Sequence, residues 1–504
     1  MSETSQPPTA HPAPVPSARP AWIDSLLRPI LAFRLSYVPV VMVYFAYGAL
    51  GLIDVTRDLW IKEALTLTPA QLAGIAVWLS LPWTIKMVFG ELVDSVPIFG
   101  SQRTAYVLIG ASFTACGLVT LAGAAAGWLA FLAPNNLYIF GAMLIVVGTV
   151  IQDVVADAMS TEVVVRTDAA GNPRPDPEVR AELGMVQVLG RIALSTGILA
   201  VAGLSGLLAS MFSRETVFLM GLVIPVISIT GVFLRRNIVV ERRATDWRIL
   251  GGGIAYGAVV IVLGVGGVPY AQEVVFVLSM TVVCTMLVLV CRDISPEARH
   301  AILFTSIVIF AFRATPSVGD AYFWWTLDVL KFDAAFYGVL RQTGAIMSIV
   351  AMWMFSKQLT EYSVTSVLLW IAIASSILSL PSIGLVYGLH EWTEANFGFG
   401  ARSIAFVDTV AASPFAQLSM IPLLTLIAYY APAGHRATWF ALMASLMNLA
   451  LVAGQLQTKY FNEIFVVDRG HYDALGPLLI IVVAIGFILP VAVIVLFGRR
   501  IARG

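Results

Sequence analysis

Residues 82–103 read PWTIKMVFGELVDSVPIFGSQR and join two long apolar stretches of the chain. Within this segment, Gly90 permits a close helix contact, and Asp94 can cap a helix or pair with Arg103. The Pro and Gly that follow Asp94 favour a tight turn. We therefore predict a short polar loop at a membrane surface, with Gly90, Asp94 and Arg103 as a motif that responds to movements of the helices around it.

The composition of the chain is that of a membrane protein. Of 504 residues, 59% are hydrophobic and only 12% are charged, whereas about a quarter are charged in soluble domains. The 30 Lys and Arg residues balance 30 Asp and Glu residues, so no net field attracts nucleic acid. These values argue against a soluble multidomain enzyme and place most of the chain in the lipid bilayer.

Apolar stretches of about 20 residues, long enough to cross a bilayer as helices, alternate with short polar loops. We predict an all-α polytopic membrane protein with about fourteen spans; twelve is the alternative, because the seventh stretch is rich in glycine. The stretches lie at 37–60, 70–91, 104–130, 137–158, 181–210, 215–235, 249–267, 272–291, 300–325, 334–356, 364–388, 402–430, 437–460 and 475–498.

The stretches group as six, two and six, because basic loops at 235–248 and 292–299 flank the middle pair. Weak matches at a fixed offset, such as Trp60 with Trp324, fit two similar halves. We predict a disordered tail at 1–27, a first half at 28–240, a linker with two extra helices at 241–298, a second half at 299–498 and a tail at 499–504.

Basic residues concentrate in alternate loops, which the positive-inside rule assigns to the cytoplasm. We therefore expect a multi-pass protein of the inner (plasma) membrane, acting as a monomer with both termini cytoplasmic. The cysteines at 116, 284 and 291 lie in apolar runs without CxxC spacing, so we interpret them as packing residues. Motifs such as HExxH and GxSxG do not occur in the sequence, so we predict no enzyme, no metal site and no cofactor.

Charged residues inside the stretches are costly in lipid and mark ion partners or a wet cavity. Asp54, Arg57 and Asp58 share one helical face, either as an ion cluster at the membrane interface or as part of a proton-coupling site. Asp153 and Asp157 also share a face, and their repulsion favours protonation of one carboxyl unless a cation intervenes. The alternative for this second pair is a structural bond to Lys86 or Arg191.

The ninth stretch contains Pro316, which should kink the helix and free backbone carbonyls. Arg313 suits a ligand carboxylate; the alternative is a salt bridge to Asp408 or Asp320. The aromatic residues at 322–325 are either ligand-stacking or packing residues. We assign substrate binding to Lys86, Arg313, Asp320, Tyr322 and Gln417, and proton coupling to Asp54, Asp153, Asp157 and Asp408. Charges in stretches one, four, nine and twelve thus predict a polar cavity between two halves, and hence a transporter.

The same strings resemble the folate-biopterin transporter family of the major facilitator superfamily. Gly90-x-x-x-Asp94 followed by Arg103 is similar to the loop that marks the superfamily, and residues 152–158, 314–316 and 432–448 are similar to family segments. The resemblance covers about residues 28–460, excluding the central hairpin. It implies two six-helix halves and transport of a pterin or folate, with protons.

Two other functions stay open. One alternative is that the chain transports another organic anion or a peptide-like solute, since Arg313 stands where the family often has a neutral residue. It can also be a non-transporting assembly or pigment-delivery protein of the same fold. Ligand-dependent uptake into vesicles separates these alternatives.

Overall fold

The chain folds into helices joined by turns. The computed structural model describes residues 31–98, 100–101, 103–168, 170–234, 245, 247–290, 292, 296–354, 364–418, 423 and 436–501, and these ranges contain no β-sheet. The predicted tail at 1–27, residues 502–504 of the predicted tail at 499–504, the side chain of Gln417 and residues 432–435 of the 432–448 segment lie outside the described residues.

The helices, numbered α1 to α17 in chain order, are Leu35–Ala64, Pro69–Ser95, Thr104–Ala126, Pro134–Glu162, Asp176–Met211, Arg214–Phe233, Trp247–Val265, Ala271–Val290, Pro296–Arg313, Asp320–Asp328, Ala334–Met354, Val364–Leu378, Leu380–Val386, Leu389–Phe397, Ala401–Leu418, Arg436–Ile464 and Leu475–Ile501. Within the described ranges, ten helical segments are long and apolar enough to cross a membrane. The predicted all-α polytopic architecture is therefore confirmed, whereas the number fourteen stays a prediction.

Helices α1–α6 pack on one another and form the first half of the molecule, and α9–α17 form the second half. The halves meet along two helix pairs, α2 with α16 and α5 with α11. The hairpin α7–α8 packs against α2 and α16 from outside. We call the two ends of the bundle the α1–α2 end, which holds the turn at 65–68, and the α2–α3 end, which holds the loop at 96–103.

The break between α9 and α10 follows from Pro316, which the sequence predicted to kink one continuous helix. The chain leaves helical geometry at Ala314 and resumes it at Asp320. Polar side chains of α16 satisfy the freed backbone groups, as lipid cannot. The bonds run from Gln457 Nε2 to the Ala314 carbonyl at 2.6 Å, from the Ser317 N–H to Thr458 Oγ1 at 2.9 Å, and from Asn462 Nδ2 to the Val318 carbonyl at 3.2 Å.

Small residues let the central helices touch backbone to backbone. A Cβ on Gly48 of α1 would lie 2.1 Å from the Leu194 carbonyl oxygen of α5. A Cβ on Gly206 of α5 would lie 2.4 Å from the Ala334 carbonyl oxygen of α11, across the two halves. In lipid the hydrophobic effect does not drive helices together, so close packing of this kind stabilises their association.

Two of the cysteines face outward. Cys116 on α3 and Cys284 on α8 are exposed, so their prediction as packing residues is wrong. An apolar run does not distinguish a core position from a lipid-facing one, because both surroundings are apolar. Cys291 lies outside the described residues.

We predict that Gly48→Ala destabilises the protein by about 1–3 kcal/mol, because the added methyl group must push α1 away from α5. Thermal unfolding of the purified protein in detergent measures the effect. Gly257→Ala on α7 is the matched control, since its Cβ would meet no atom within 4 Å. Equal shifts of Tm for both variants would contradict the close contact.

Candidate functional site

A cavity of about 860 Å³ lies between the two halves. Its walls come chiefly from α1, α2, α4 and α5 of the first half and from α10 and α11 of the second. This volume falls within the usual range for small-molecule sites, about 300–1,000 Å³. Its charged lining residues are Asp54, Arg57, Asp58, Asp320 and Arg341, and its aromatic ones include Tyr47, Trp83 and Tyr138.

Asp54, Arg57, Asp58 and Arg341 form a four-charge cluster in the cavity wall. Each guanidinium bridges both carboxylates. The N–O distances are 3.1 Å for Arg57–Asp54, 3.0 Å for Arg57–Asp58, 3.0 Å for Arg341–Asp54 and 2.8 Å for Arg341–Asp58. The shared face on α1 is therefore as the sequence spacing predicted. The partner Arg341 comes from α11, so the cluster connects the two halves.

Asp320 adds a third carboxylate to the same cavity. It is the first residue of α10, so the break at Pro316 creates the helix end on which it sits. A helix N-terminus favours negative charge. Among the described residues, Asp320 has no salt-bridge partner within 4.0 Å. Three carboxylates thus face two guanidinium groups, and uptake of one proton makes the set neutral.

A pair of stacked aromatic rings forms another part of the cavity wall. The rings of Tyr47 and Trp83 lie 5.8 Å apart at an angle of 21°. The side chains of Thr149 and Ser348 line the cavity as well. A flat aromatic surface and hydroxyl groups therefore line the same cavity as the charged residues.

Lys86, Asp153 and Asp157 form a separate cluster, nearer the α2–α3 end. Lys86 Nζ lies 2.5 Å from Asp153 Oδ2 and 2.7 Å from Asp157 Oδ2. The Tyr44 hydroxyl donates to Asp157 at 2.5 Å. A cation therefore stands between the two carboxylates, as the structural alternative required. None of these three charged residues lines the cavity of 860 Å³.

The other predicted residues lie in the second half, away from the cavity. Arg313 ends α9, and Tyr322 packs on Trp325 with their rings 5.7 Å apart. Asp408 Oδ2 accepts a hydrogen bond from Ser382 at 3.0 Å. Of the sequence-predicted site residues with described side chains, the structure brings only Asp54 and Asp320 into the cavity.

The loop motif ties α2 to α3 and α4. Arg103 Nη2 lies 2.8 Å from Asp94 and 2.6 Å from Glu162, the last residue of α4. The predicted pairing of Asp94 with Arg103 is present. A Cβ on Gly90 would meet no described atom within 4 Å, so the structure does not show the predicted close contact there.

Arg469 closes the α1–α2 end. This loop residue of the second half donates to four carbonyls at the end of α1 and in the following turn, those of Ile61, Lys62, Leu65 and Leu67, at 2.7–3.1 Å. Its guanidinium also lies 4.1 Å from the ring centre of Trp324. Nearby, Asp328 of α10 pairs with Lys62 of α1. The sequence gives no signal for this role, because Arg469 is one basic residue among several in the loops.

Within the described residues, hydrogen bonds and ion pairs between the halves lie from the α1–α2 end to the middle of the bundle. The two hydrogen bonds farthest from the α1–α2 end run from Ser80 Oγ to Gln455 Oε1 at 3.0 Å and from Asn448 Nδ2 to the Trp83 carbonyl at 3.1 Å. The structure therefore represents an arrangement whose halves are joined at the α1–α2 end.

The chain is similar to known transporters along most of its length. The sequence pattern of the BT1 family matches residues 48–503. A "Folate-biopterin transporter" of Synechocystis sp. is 26% identical, over 90% of this chain and 79% of that protein. "Folate transporter 1" of Plasmodium falciparum is 21% identical, over 86% of this chain and 73% of that protein.

Solved structures share the fold. A POT family transporter in complex with 5-aminolevulinic acid has a TM-score of 0.64 at 13% identity, over 92% of this chain and 96% of that one. The xylose transporter XylE from E. coli, in an inward open conformation, has a TM-score of 0.53 at 11% identity, over 91% and 94%. The major facilitator-like fold is therefore confirmed.

We predict that Arg469→Ala loosens the α1–α2 end, because four carbonyls lose their donor. Spin labels at Thr66 and Asp473, on opposite halves, report the separation by double electron–electron resonance. We expect a longer and broader distance distribution in the variant. Arg402→Ala, which removes an exposed arginine paired with Asp333, is the control. An unchanged distribution in Arg469→Ala would refute its closing role.

Proposed function

The chain belongs to the BT1 family, and from that membership we propose that it moves a pterin or a folate by proton-coupled secondary transport. That it is a multi-pass membrane transporter, and not an enzyme, follows from the family and from the names of its relatives. One observation carries the finer proposal. The cavity between the halves combines a stacked aromatic pair with an excess of carboxylates over guanidinium groups.

The ring system of a pterin matches the two kinds of wall. Its flat face stacks on an aromatic surface such as that of Tyr47 and Trp83. Its amino and amide N–H groups donate to a carboxylate, for which Asp320 is the candidate because the described residues give it no salt bridge. The relatives named for folate and biopterin support this choice of solute.

The tail of a folate brings carboxylates, which guanidinium groups bind with paired hydrogen bonds. In the cavity, Arg57 and Arg341 are the candidates for this role. A ligand carboxylate that binds Arg341 competes with Asp54 and Asp58 for the same N–H groups. Binding of the tail therefore weakens the bond between the halves.

Protons act on the same cluster. A proton on Asp54 or Asp58 removes one charged partner of Arg341 and weakens the link between α1 and α11. The halves can then separate at the α1–α2 end, which is the movement that alternating access requires. We therefore propose Asp54, with Asp58 and Asp320, as the coupling site.

Among the described side chains, the other residues predicted from the sequence do not line the cavity in this arrangement, and we propose other roles for them. Asp153 and Asp157 hold Lys86, and this triad becomes a coupling or binding site only when the ion pairs open. Arg313, Tyr322, Asp408 and Gln417 are proposed to act in another arrangement of the halves. We further propose an inner (plasma) membrane location, cytoplasmic termini and a monomer.

Uptake into proteoliposomes tests the solute and the coupling. We expect the purified full-length protein to accumulate radiolabelled folate and biopterin when the lumen is more alkaline than the bath. Collapse of the pH gradient with a protonophore should leave exchange but abolish accumulation. A dipeptide and an unrelated organic anion are the competing solutes. Accumulation of either of them, without folate or biopterin, would overturn the proposed substrate class.

We predict that Arg341→Gln lowers folate uptake about tenfold, because the partly exposed side chain loses its charge-assisted bonds to Asp54, Asp58 and the ligand carboxylate, at a cost of about 1.5 kcal/mol. Size-exclusion chromatography checks that the variant folds. Asp473→Asn, in an exposed loop, is the control and should transport normally.

Carboxylate variants separate the two candidate coupling clusters. We expect Asp320→Asn to lose accumulation while keeping exchange at saturating solute, because exchange needs no net proton movement and the amide oxygen of Asn still accepts a hydrogen bond from the solute. Asp157→Asn leaves Lys86 with Asp153 and should reduce accumulation less. The reverse ranking of the two variants would move the coupling site to the Lys86 cluster.

A further inference from the structure

A second cavity, of about 840 Å³, lies between the hairpin and the second half. Helices α8 and α9 follow one another in the chain, yet α8 packs on α16 and α9 packs on α16 and α17. A groove therefore separates them. We call it the hairpin groove, and it is lined mainly by apolar residues, among them Met280, Cys284, Leu287, Leu303, Phe310 and Leu446.

Two arginines stand at one end of the hairpin groove. Arg292 follows the end of α8, Arg299 lies in the first turns of α9, and both line the groove. The Arg299 guanidinium donates to the Arg292 carbonyl at 2.9 Å, which keeps the two residues together. Both residues are exposed. The groove is thus apolar along its length and cationic at the end where two helices reach the membrane surface.

This pattern disfavours ordered water along the apolar length of the groove, where Ser306 and Gln457 already donate to backbone carbonyls. An ordered water needs two to four polar partners, and the apolar walls do not offer them. The hydrocarbon chain of a lipid needs none. Basic pockets between helices at a membrane surface bind lipid phosphates, and a guanidinium matches phosphate with paired hydrogen bonds.

We propose that the hairpin groove binds an anionic glycerophospholipid, with an acyl chain against α8 and α9 and its phosphate on Arg292 and Arg299. The lipid occupies space that the protein leaves open and connects the hairpin to the second half. Because the hairpin also packs on α2, bound lipid stabilises the hairpin beside the line where the two halves meet. The site is independent of the transported solute.

The exposed thiol of Cys284 lies in the groove and reports its occupancy. Full-length protein carrying Cys291→Ser is alkylated in detergent with N-phenylmaleimide, and intact-mass spectrometry with peptide mapping follows each thiol. We expect phosphatidylglycerol to protect Cys284 at a concentration about tenfold below that of phosphatidylcholine, because both lipids carry the phosphate but the choline cation of phosphatidylcholine is repelled by the two guanidinium groups. Cys116, on α3 outside the groove, is the internal control and should react equally with either lipid.

The arginines are tested by Arg292→Gln combined with Arg299→Gln, which should abolish the preference for phosphatidylglycerol. Arg402→Gln, remote from the groove, should keep it. Equal protection by both lipids, an intact preference in the double variant, or protection by inorganic phosphate alone would overturn the proposal. If the double variant does not fold, the proposal is tested on protein that keeps both arginines, by comparing the protection of Cys284 by each lipid with its protection by inorganic phosphate.

Discussion

The bond of Arg341 to the carboxylates of Asp54 and Asp58 is the interaction on which the centre of the molecule depends. Charges inside a membrane are stable only when each has a partner or water. Arg341 belongs to the second half and both aspartates belong to the first, so each half by itself lacks partners for its own charges in the cluster. The position of the halves and the charge state of the cavity are therefore coupled, whatever solute occupies the cavity.

The helices could be predicted from the sequence because hydropathy is a local property. Each apolar stretch predicted from the sequence overlaps a helix within the described ranges. The spacing of Asp54, Arg57 and Asp58 likewise predicted a shared face, because residues three and four apart are neighbours on any helix. Their cross-half partner could not be predicted. Arg341 is 287 residues from Asp54, and the only sequence signal was a cation inside an apolar stretch.

Predictions that needed tertiary contacts had mixed outcomes. Pro316 indicated a kink, but a full break also requires the polar residues of α16 that receive the freed backbone groups. The sequence left two alternatives for Asp153 and Asp157, and Lys86 lies between the carboxylates as the structural alternative predicts, while the coupling role stays a prediction. The exposed cysteines show why apolar positions are ambiguous in a membrane protein: hydrophobicity no longer distinguishes interior from surface.

The end of α1 has an unusual dependence on a distant loop. The last carbonyls of most helices bind water or nearby residues, whereas here one guanidinium from the other half binds two of them together with two carbonyls of the following turn. When that loop withdraws, the acceptors must all be hydrated together. Opening at this end therefore takes up water, and solutes that lower water activity should hold the protein shut.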